Sequence, residues 1–425
     1  MSQTLDASTP HDPSTRKTSL SLIFLIVFID LLGFAIVLPL LPRYAEKLHA
    51  SPPVIGLLMA SFSAMQFIFS PLWGRVSDRV GRRPVLLAGL CGSVVFYGLF
   101  GVATMLENLP LIFVARIGAG IAGATISTAQ AYIADATGVK GRARGMALIG
   151  AAFGAGFTFG PILGFVAIPS GPLKAGEIAA LNPMPGFLAS GLSLLALIFA
   201  LIKLPESLRG NAPVVRRAWL NIGAIREAIN IPSVGALLLL FFMSTFAFTQ
   251  FETTLSLLTK KAFGYSDDMN FKLFTYLGVT LSIMQGFVVR NLVNRIGEAR
   301  MIVLGIVLMG ASLWVVGIAA DEKSSTLLFE VMPFLVAGFS FMTPSAQALI
   351  SRRSDPARQG EIMGVNQSAS AMARILGPIF GYSLLPHGLS WPYKAGALML
   401  LPAFLMAVSS VASGQDWPAP APVEP

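Results

Sequence analysis

The chain has 425 residues, of which 54% are hydrophobic and only 12% are charged, against roughly 45–50% and about 25% in an ordinary soluble protein. These proportions exclude a water-soluble globular protein. The single cysteine, Cys91, excludes a disulfide scaffold, and the small number of cysteines and histidines argues against a metal site. The net charge of +9 is better explained by cationic loops on one side of a membrane than by binding to nucleic acid.

Apolar stretches recur along the whole chain, and each is long enough to cross a membrane as a helix. They lie at 19–41, 53–73, 85–106, 109–134, 144–167, 185–204, 233–257, 270–292, 300–320, 325–350, 361–386 and 391–412. We therefore expect an all-α membrane protein with twelve transmembrane helices. The first stretch is longer than the apolar segment of a signal peptide and is interrupted by Asp30, so we expect it to be a retained helix.

The distribution of cations predicts the orientation and the domains. With a cytoplasmic N-terminus, the inner segments contain 20 Lys and Arg and the outer segments 8, which places both termini in the cytoplasm and the chain in the cytoplasmic membrane. We expect a disordered tail at 1–18, six-helix halves at 19–204 and 233–412, a cytoplasmic linker at 205–232, and a disordered proline-rich tail at 413–425.

The two halves repeat three short motifs at nearly one offset. Gly160-Pro161-x-x-Gly164 returns as Gly377-Pro378-x-x-Gly381 and Ala129-Gln130-Ala131 as Ala346-Gln347-Ala348, both 217 residues later, and Arg79-Val80-Gly81 returns as Arg295-Ile296-Gly297 after 216. The constant offset predicts an internal duplication of six helices. The glycines, including Gly156, allow close helix packing, and the prolines bend their helices, so we expect either a matched pair of hinges or simple tight packing.

The loop after the second apolar stretch is the most specific local motif. It reads Gly74-Arg75-Val76-Ser77-Asp78-Arg79-Val80-Gly81-Arg82-Arg83-Pro84. A purely topogenic basic loop accounts for its arginines. It does not account for Asp78 among them, or for two glycines seven residues apart, so the pattern favours a structural switch over a plain salt-bridged loop.

This loop resembles the signature loop of the major facilitator superfamily. Further stretches are similar to that family and to its drug:H⁺ antiporter branch, in particular the tetracycline exporters: Phe28-Ile-Asp30-Leu-Leu-Gly33-Phe34, Leu38-Pro-Leu-Leu-Pro42-Arg43, Arg116-Ile-Gly-Ala-Gly120, Ala131-Tyr-Ile-Ala-Asp135 and Gly156-x-x-x-Gly160-Pro161. The resemblance implies two six-helix bundles that rock about a central substrate site. It is weaker in the second half, where the loop survives only as Asn294-Arg295-Ile296-Gly297-Glu298.

The resemblance also implies a conformational charge relay. In the family, the motif aspartate and a later arginine lock the outward-open state together with an acid at the end of the fourth helix. The corresponding residues are Asp78, Arg82 and Asp135, with Gly74, Arg79, Gly81 and Arg83 in the same loop. Inward opening is then expected to break these ion pairs.

Asp30 and Glu252 are the predicted proton-coupling or substrate residues. An ionised carboxylate in hydrocarbon costs at least about 2.5–3.5 kcal/mol, so an acid within a span should face a cavity, hold a proton or pair with a cation. Asp30 lies near the middle of the first stretch and Glu252 late in the seventh. The alternatives are a structural hydrogen bond for Asp30 and an outer gate or ion pair for Glu252.

Arg116 and Arg374 are the only cations placed well inside predicted spans. Because arginine does not deprotonate usefully, each is expected to modulate a carboxylate or bind an anionic group, although Arg374 could merely fix a helix contact. Gln130 and Gln347 are expected either to orient a ligand or to bond neighbouring helices.

These features together predict a proton-coupled efflux antiporter of hydrophobic or amphipathic small molecules, with an uptake symporter of a small metabolite as the alternative. No phosphate-binding loop of the Gly-x-x-x-x-Gly-Lys-Ser/Thr type is present, so we expect no nucleotide, no cofactor and no enzymatic activity. The expected partners are a small-molecule substrate, protons and the lipid bilayer, and the chain is expected to be a monomer.

Overall fold

The computed structural model describes residues 13–168, 181–208, 223, 226–227, 230–355, 358–413 and 416. Within these ranges all regular secondary structure is helical. The helices are α1 (Pro13–Val37), α2 (Leu41–Lys47), α3 (Pro52–Val80), α4 (Arg82–Met105), α5 (Leu109–Gly123), α6 (Ile126–Ala167), α7 (Met184–Lys203), α8 (Pro232–Phe263), α9 (Asp267–Ile283), α10 (Arg290–Ile296), α11 (Glu298–Asp321), α12 (Ser325–Arg353), α13 (Gln359–Leu384) and α14 (Trp391–Ser413). A π-helical segment, Met284–Val289, joins α9 to α10.

The predicted all-helical membrane class is confirmed. In the described part of the chain, 10 helical segments are long and apolar enough to cross a membrane. The shorter apolar helix Gly154–Ala167 and helix α13 occupy the predicted fifth and eleventh spans, so the number twelve itself stays a prediction. Helix α1 begins at Pro13, inside the predicted tail; residues 1–12 and most of the predicted linker lie outside the described residues.

The predicted repeat extends to how two of the helices begin. The Asn108 side chain accepts a hydrogen bond from the Leu111 N–H and caps α5, and Ser324, 216 positions later, caps α12 through the Leu327 N–H. Such caps satisfy one of the amide groups that a helix N-terminus leaves free. The same local chemistry therefore starts the fourth predicted span of each half.

Contacts along α1 show that α5 and the C-terminal part of α6 run in opposite directions. Going up α1, Asp30 lies beside Gly123 and Phe34 lies beside Arg116, so α5 runs antiparallel to α1. Further along the chain the order is opposite, because Gly156 packs on Leu31 and Gly160 on Ala35. The segments around Gly123 and Gly156 thus run in opposite directions, as the predicted fourth and fifth spans require.

An apolar cluster joins the two halves at their predicted outer ends. It combines Leu40, Leu41 and Tyr44 of the N-terminal half with Phe271 and Tyr382 of the C-terminal half, all of which are buried. Each half also has its own apolar core. Burial of shared apolar surface therefore holds the halves together at one end of the bundle.

Candidate functional site

Asp30 points into the N-terminal half. Its Oδ1 accepts a hydrogen bond of 2.9 Å from Ser93 Oγ, and its backbone carbonyl accepts one of 3.4 Å from the Tyr97 hydroxyl. Ser93 and Tyr97 belong to α4, which packs chiefly against α5 and α7 of the same half. Asp30 has no salt bridge within the described part of the chain, so a hydrogen bond from Ser93 rather than an ion pair holds its carboxylate.

The predicted fourth span is broken beside Asp30. Helix α5 ends at Gly123 and α6 begins at Ile126. Side chains from α3 bond backbone carbonyls near the break: Gln66 Nε2 donates to the Gly123 carbonyl at 3.1 Å and Trp73 Nε1 to the Ile121 carbonyl at 2.7 Å. Interrupted helices are tolerated at membrane depth only when neighbouring groups satisfy the backbone in this way.

Arg116 is buried without a hydrogen-bond partner. It is 2% exposed, and among the described residues nothing accepts a hydrogen bond from its Nε, Nη1 or Nη2. Its Cζ lies 4.8 Å from the centre of the Phe62 ring and 5.5 Å from that of Phe34. Cation–π contacts therefore replace hydrogen bonds, and the guanidinium keeps all its donors available for an anionic group.

Glu252 and Arg374 are the predicted charged residues of the C-terminal half. Both side chains are half-buried, on α8 and α13, which pack closely on each other. They are close enough to attract each other electrostatically but form no salt bridge within 4 Å, and neither has a hydrogen bond to another described residue.

Gln130 and Gln347 are half-buried at repeat-related positions and form no hydrogen bonds with described residues. The structure therefore distributes the predicted coupling residues between the halves: Asp30, Arg116 and Gln130 in the N-terminal half, and Glu252, Arg374 and Gln347 in the C-terminal half.

Asp78, Arg82 and Asp135 form one cluster. Arg82 Nη1 lies 2.5 Å from Asp78 Oδ1, and its Nε lies 3.1 Å from Asp135 Oδ2. Arg82 also donates to Ser77 Oγ at 2.7 Å. All four residues belong to the N-terminal half, and the expectation that inward opening breaks these ion pairs stays a prediction.

The remaining loop residues have different surroundings. Gly81 adopts a φ of +105°, which favours glycine, between α3 and α4. Arg83 Nη2 donates to the Leu201 carbonyl at 2.8 Å. Arg79 is exposed, and a Cβ at Gly74 would meet only Ser127 Oγ, at 3.9 Å.

Glu206 joins this cluster and was missed by the sequence analysis. Its carboxylate accepts hydrogen bonds from the backbone N–H groups of Arg82 at 2.9 Å and Arg83 at 3.0 Å, and also from those of Ser207 and Leu208. Partial burial alone would raise the pKa of Glu206, but these four N–H groups outweigh it and lower the pKa below its usual value. The only sequence signal was an acid directly after the sixth apolar stretch.

The predicted hinge glycines lie at close helix contacts. Gly156 and Gly160 face α1, and Gly164 faces Phe271 of the other half. Their repeat counterparts, Gly377 and Gly381, face Gln250 on α8. Pro161 lies inside α6 and Pro378 inside α13. Tight packing is thus present at both sites, and a hinge function stays a prediction.

A polar network closes the predicted outer end and was also missed. Arg43 is 4% exposed; it lies 2.9 Å from Asp267 Oδ1 and donates to Thr259 Oγ1 at 3.1 Å and to the Tyr265 carbonyl at 2.8 Å. Nearby, Glu46 pairs with Lys260 at 2.8 Å and Lys261 at 2.9 Å. Each contact joins the two halves.

Comparisons with known proteins agree with this architecture. A family model described as Major Facilitator Superfamily matches residues 23–378 and 273–421. The tetracycline resistance protein, class C, of Escherichia coli is 30% identical over 389 residues, which cover 89% of this chain and 94% of that protein. Multidrug resistance protein 2 of Bacillus subtilis (strain 168) is 28% identical over 393 residues, covering 91% and 94%.

Among solved structures, the human organic anion transporter MFSD10 (TETRAN) superposes with a TM-score of 0.68 at 25% identity and covers 93% of this chain and 100% of its own. The fold is shared with a D-xylose-proton symporter, with a TM-score of 0.74 at 18% identity over 92% and 97% of the two chains. The chain belongs to the Major Facilitator Superfamily, and it is a multi-pass membrane transporter rather than an enzyme.

Proposed function

We propose that this chain is a proton-coupled exporter of hydrophobic or amphipathic small molecules in the cytoplasmic membrane. The supporting observation is that each half holds a half-buried acid in an apolar span, Asp30 or Glu252, without a salt bridge to any described residue. Acids in this setting are costly unless they exchange protons or bind cations. Relatives named for tetracycline and multidrug resistance match about nine-tenths of the chain.

Closure of the outer end supports alternating access. The Arg43 and Glu46 networks hold the halves together there, and a central site would communicate with the opposite end. In our proposal the termini and the Arg82 cluster lie on the cytoplasmic side, so substrate binds from the cytoplasm and leaves after the halves rock.

The proton gradient supplies enough energy for this function. A proton that moves inward down about 150 mV contributes on the order of 3.5 kcal/mol, which corresponds to a concentration ratio of several hundred. In the proposal no nucleotide or cofactor takes part. Asp30 and Glu252 load protons in one state and release them in the other.

The surroundings of Arg116 favour a second class of substrates, which carry an acidic group. Its guanidinium has no acceptor among the described residues, and the adjacent Phe34 and Phe62 rings suit an apolar body. A relative is named an organic anion transporter. Transport of matched anionic, neutral and cationic dyes tests this second substrate class, and loss of only the anionic dye in Arg116→Gln supports it.

The main test is transport in everted membrane vesicles and in a pump-deficient bacterial host. We expect resistance to some members of a broad drug panel and efflux that depends on the pH gradient. Asp30→Asn and Glu252→Gln should abolish the dependence on pH, whereas Glu330→Gln, at an exposed site on α12, should not. Accumulation of substrate in energised cells would favour the uptake symporter, and absence of transport would exclude the proposal.

A further inference from the structure

A small cavity lies beside the Asp30 carboxylate, between α1, α4 and the start of α6. Its volume is about 10 Å³, and its walls include Asp30, Thr125, Leu86, Gly89 and Ala129. A cavity needs at least about 10–15 Å³ on this measure to hold a water molecule, so this one is just large enough for a single water. The cavity lies on the side of Asp30 that faces the Arg82 cluster, because Leu86 is one helical turn from Arg82 on α4.

The cavity has the two polar partners that a buried water needs. One is the Asp30 carboxylate. The other is the Thr125 hydroxyl, which donates its own proton to the Ala122 carbonyl at 3.1 Å and so presents lone pairs to a second donor. A water between them would donate one hydrogen bond to each, within the usual range of two to four bonds for buried water.

The other half fills the equivalent space with apolar side chains. By the offsets of 217 and 216, Asp30 corresponds to Ala247, Thr125 to Met342 and Ser93 to Met309. All three replacements belong to the apolar core of the C-terminal half. The cavity is therefore not a general consequence of the fold, because it accompanies the acid and its two hydroxyl neighbours.

The Phe62 ring lies between Asp30 and the nearby charged side chain of Arg116. Arg116 and Gly123 are seven residues apart, which places them on the same face of α5, about 10 Å apart along the axis. The Phe62 ring lies between: it contacts the Arg116 guanidinium, and its Cζ is 3.2 Å from a Cβ placed on Gly123, beside Asp30.

The other helices around Asp30 add few titratable groups. Tyr97 of α4 bonds only the Asp30 backbone, and α3 contributes the neutral Gln66 nearby. Helix α7 has no ionisable residue before Lys203 at its end. A water is thus the polar neighbour best placed to solvate the ionised carboxylate.

We propose that the cavity holds one ordered water, bonded to Asp30 and Thr125, through which Asp30 exchanges its proton within the N-terminal half. A proton that arrives on this water passes to a carboxylate oxygen as one O–H bond breaks and another forms, and a neutral water remains. Proton access to Asp30 is then separate from the space between the halves. The inference depends on the proposed function in one respect only, namely that the proton on Asp30 drives transport.

Matched variants test the cavity directly. Ala129→Val adds two methyl groups at its wall, whereas Ala346→Val makes the same change at the repeat-related site, in a core without an acid. Thr125→Val removes the hydroxyl and keeps the shape, and Thr125→Ser keeps the hydroxyl.

The measurement is time-resolved infrared spectroscopy of the purified full-length protein after a pH jump. The carboxylic acid band of Asp30 is identified by its loss in Asp30→Asn. We expect Ala129→Val and Thr125→Val to slow protonation about tenfold or more, and Ala346→Val and Thr125→Ser to leave the rate within about twofold.

Equal rates in all four variants would overturn the inference, provided that circular dichroism shows each to be folded. If Ala129→Val does not fold, the comparison of Thr125→Val with Thr125→Ser decides. Because the assay follows only the proton, its result is independent of whether any drug is exported. Failure of the transport proposal and failure of the water site are therefore distinguishable.

Discussion

Arg43 and Asp267 join the two halves at 2.9 Å, although they are 224 residues apart in the chain. Arg43 is almost fully buried, so its charge depends on acceptors that the C-terminal half provides. Separation of the halves at this end would leave those interactions unmade. The contact is thus a direct determinant of which end of the transporter is closed.

Removal of the Asp267 charge should favour opening at the outer end. Because Asp267 is 38% exposed, we expect Asp267→Asn to shift the equilibrium by about 1 kcal/mol, roughly fivefold. Spin labels at the exposed positions His49 and Ser266, in a Cys91→Ser background, measure the distance between the two halves at the outer end. Asp268→Asn is the control, since Asp268 pairs with Lys272 inside one half. An equally longer distance between the labels in Asp268→Asn would contradict the role assigned to the Arg43–Asp267 contact.

The stabilising contribution of Glu206 should be lost at low pH. Its pKa is lowered in the folded state, so its contribution is complete above the ordinary glutamate value of 4.5 and is lost as pH falls through the lowered value. We expect Glu206→Gln to reduce the thermal unfolding temperature near neutral pH. In acid, the unfolding temperatures of this variant and of the wild type should lie closer together. Glu322→Gln, at an exposed site, should do neither.

Arg82 and Asp135 should be energetically coupled. Their 3.1 Å ion pair involves a buried arginine and a partly exposed acid, so a double-mutant cycle with Arg82→Gln and Asp135→Asn should give a coupling of about 1 kcal/mol in unfolding free energy. The same variants in the transport assay test the relay. Full stability coupling with unchanged transport would show that the cluster is structural only.

Gly160→Ala should impair the protein, because the added methyl group would overlap Ala35 of α1. Overpacking of this kind costs about 1–3 kcal/mol, measured as unfolding free energy. Gly191→Ala on α7 is the control: nothing lies within 4 Å of its added Cβ, and the helix propensity of alanine should stabilise it slightly. Equal effects at both sites would rule out a special role for the α1–α6 contact.

Local patterns in the sequence predicted the membrane class correctly and indicated the repeat. The length of an apolar stretch decides whether it can span a bilayer, and a constant offset between motifs is visible without coordinates. The grouping of Asp78, Arg82 and Asp135 was expected from the resemblance to a family. It did not follow from spacing, because Asp78 and Arg82 lie on different helices, α3 and α4, with Gly81 between them.

Contacts between distant segments could not be read from the sequence. Arg43 was noted only as part of a stretch that resembles the tetracycline exporters, Glu206 was passed over, and the break at Gly123–Ile126 lay within a continuous apolar stretch. The sequence by itself determined that Asp30 is an acid in an apolar helix. Only the tertiary structure decided that it bonds Ser93, is separated from Arg116 by Phe62 and adjoins a water-sized space, because these relations depend on how five helices pack.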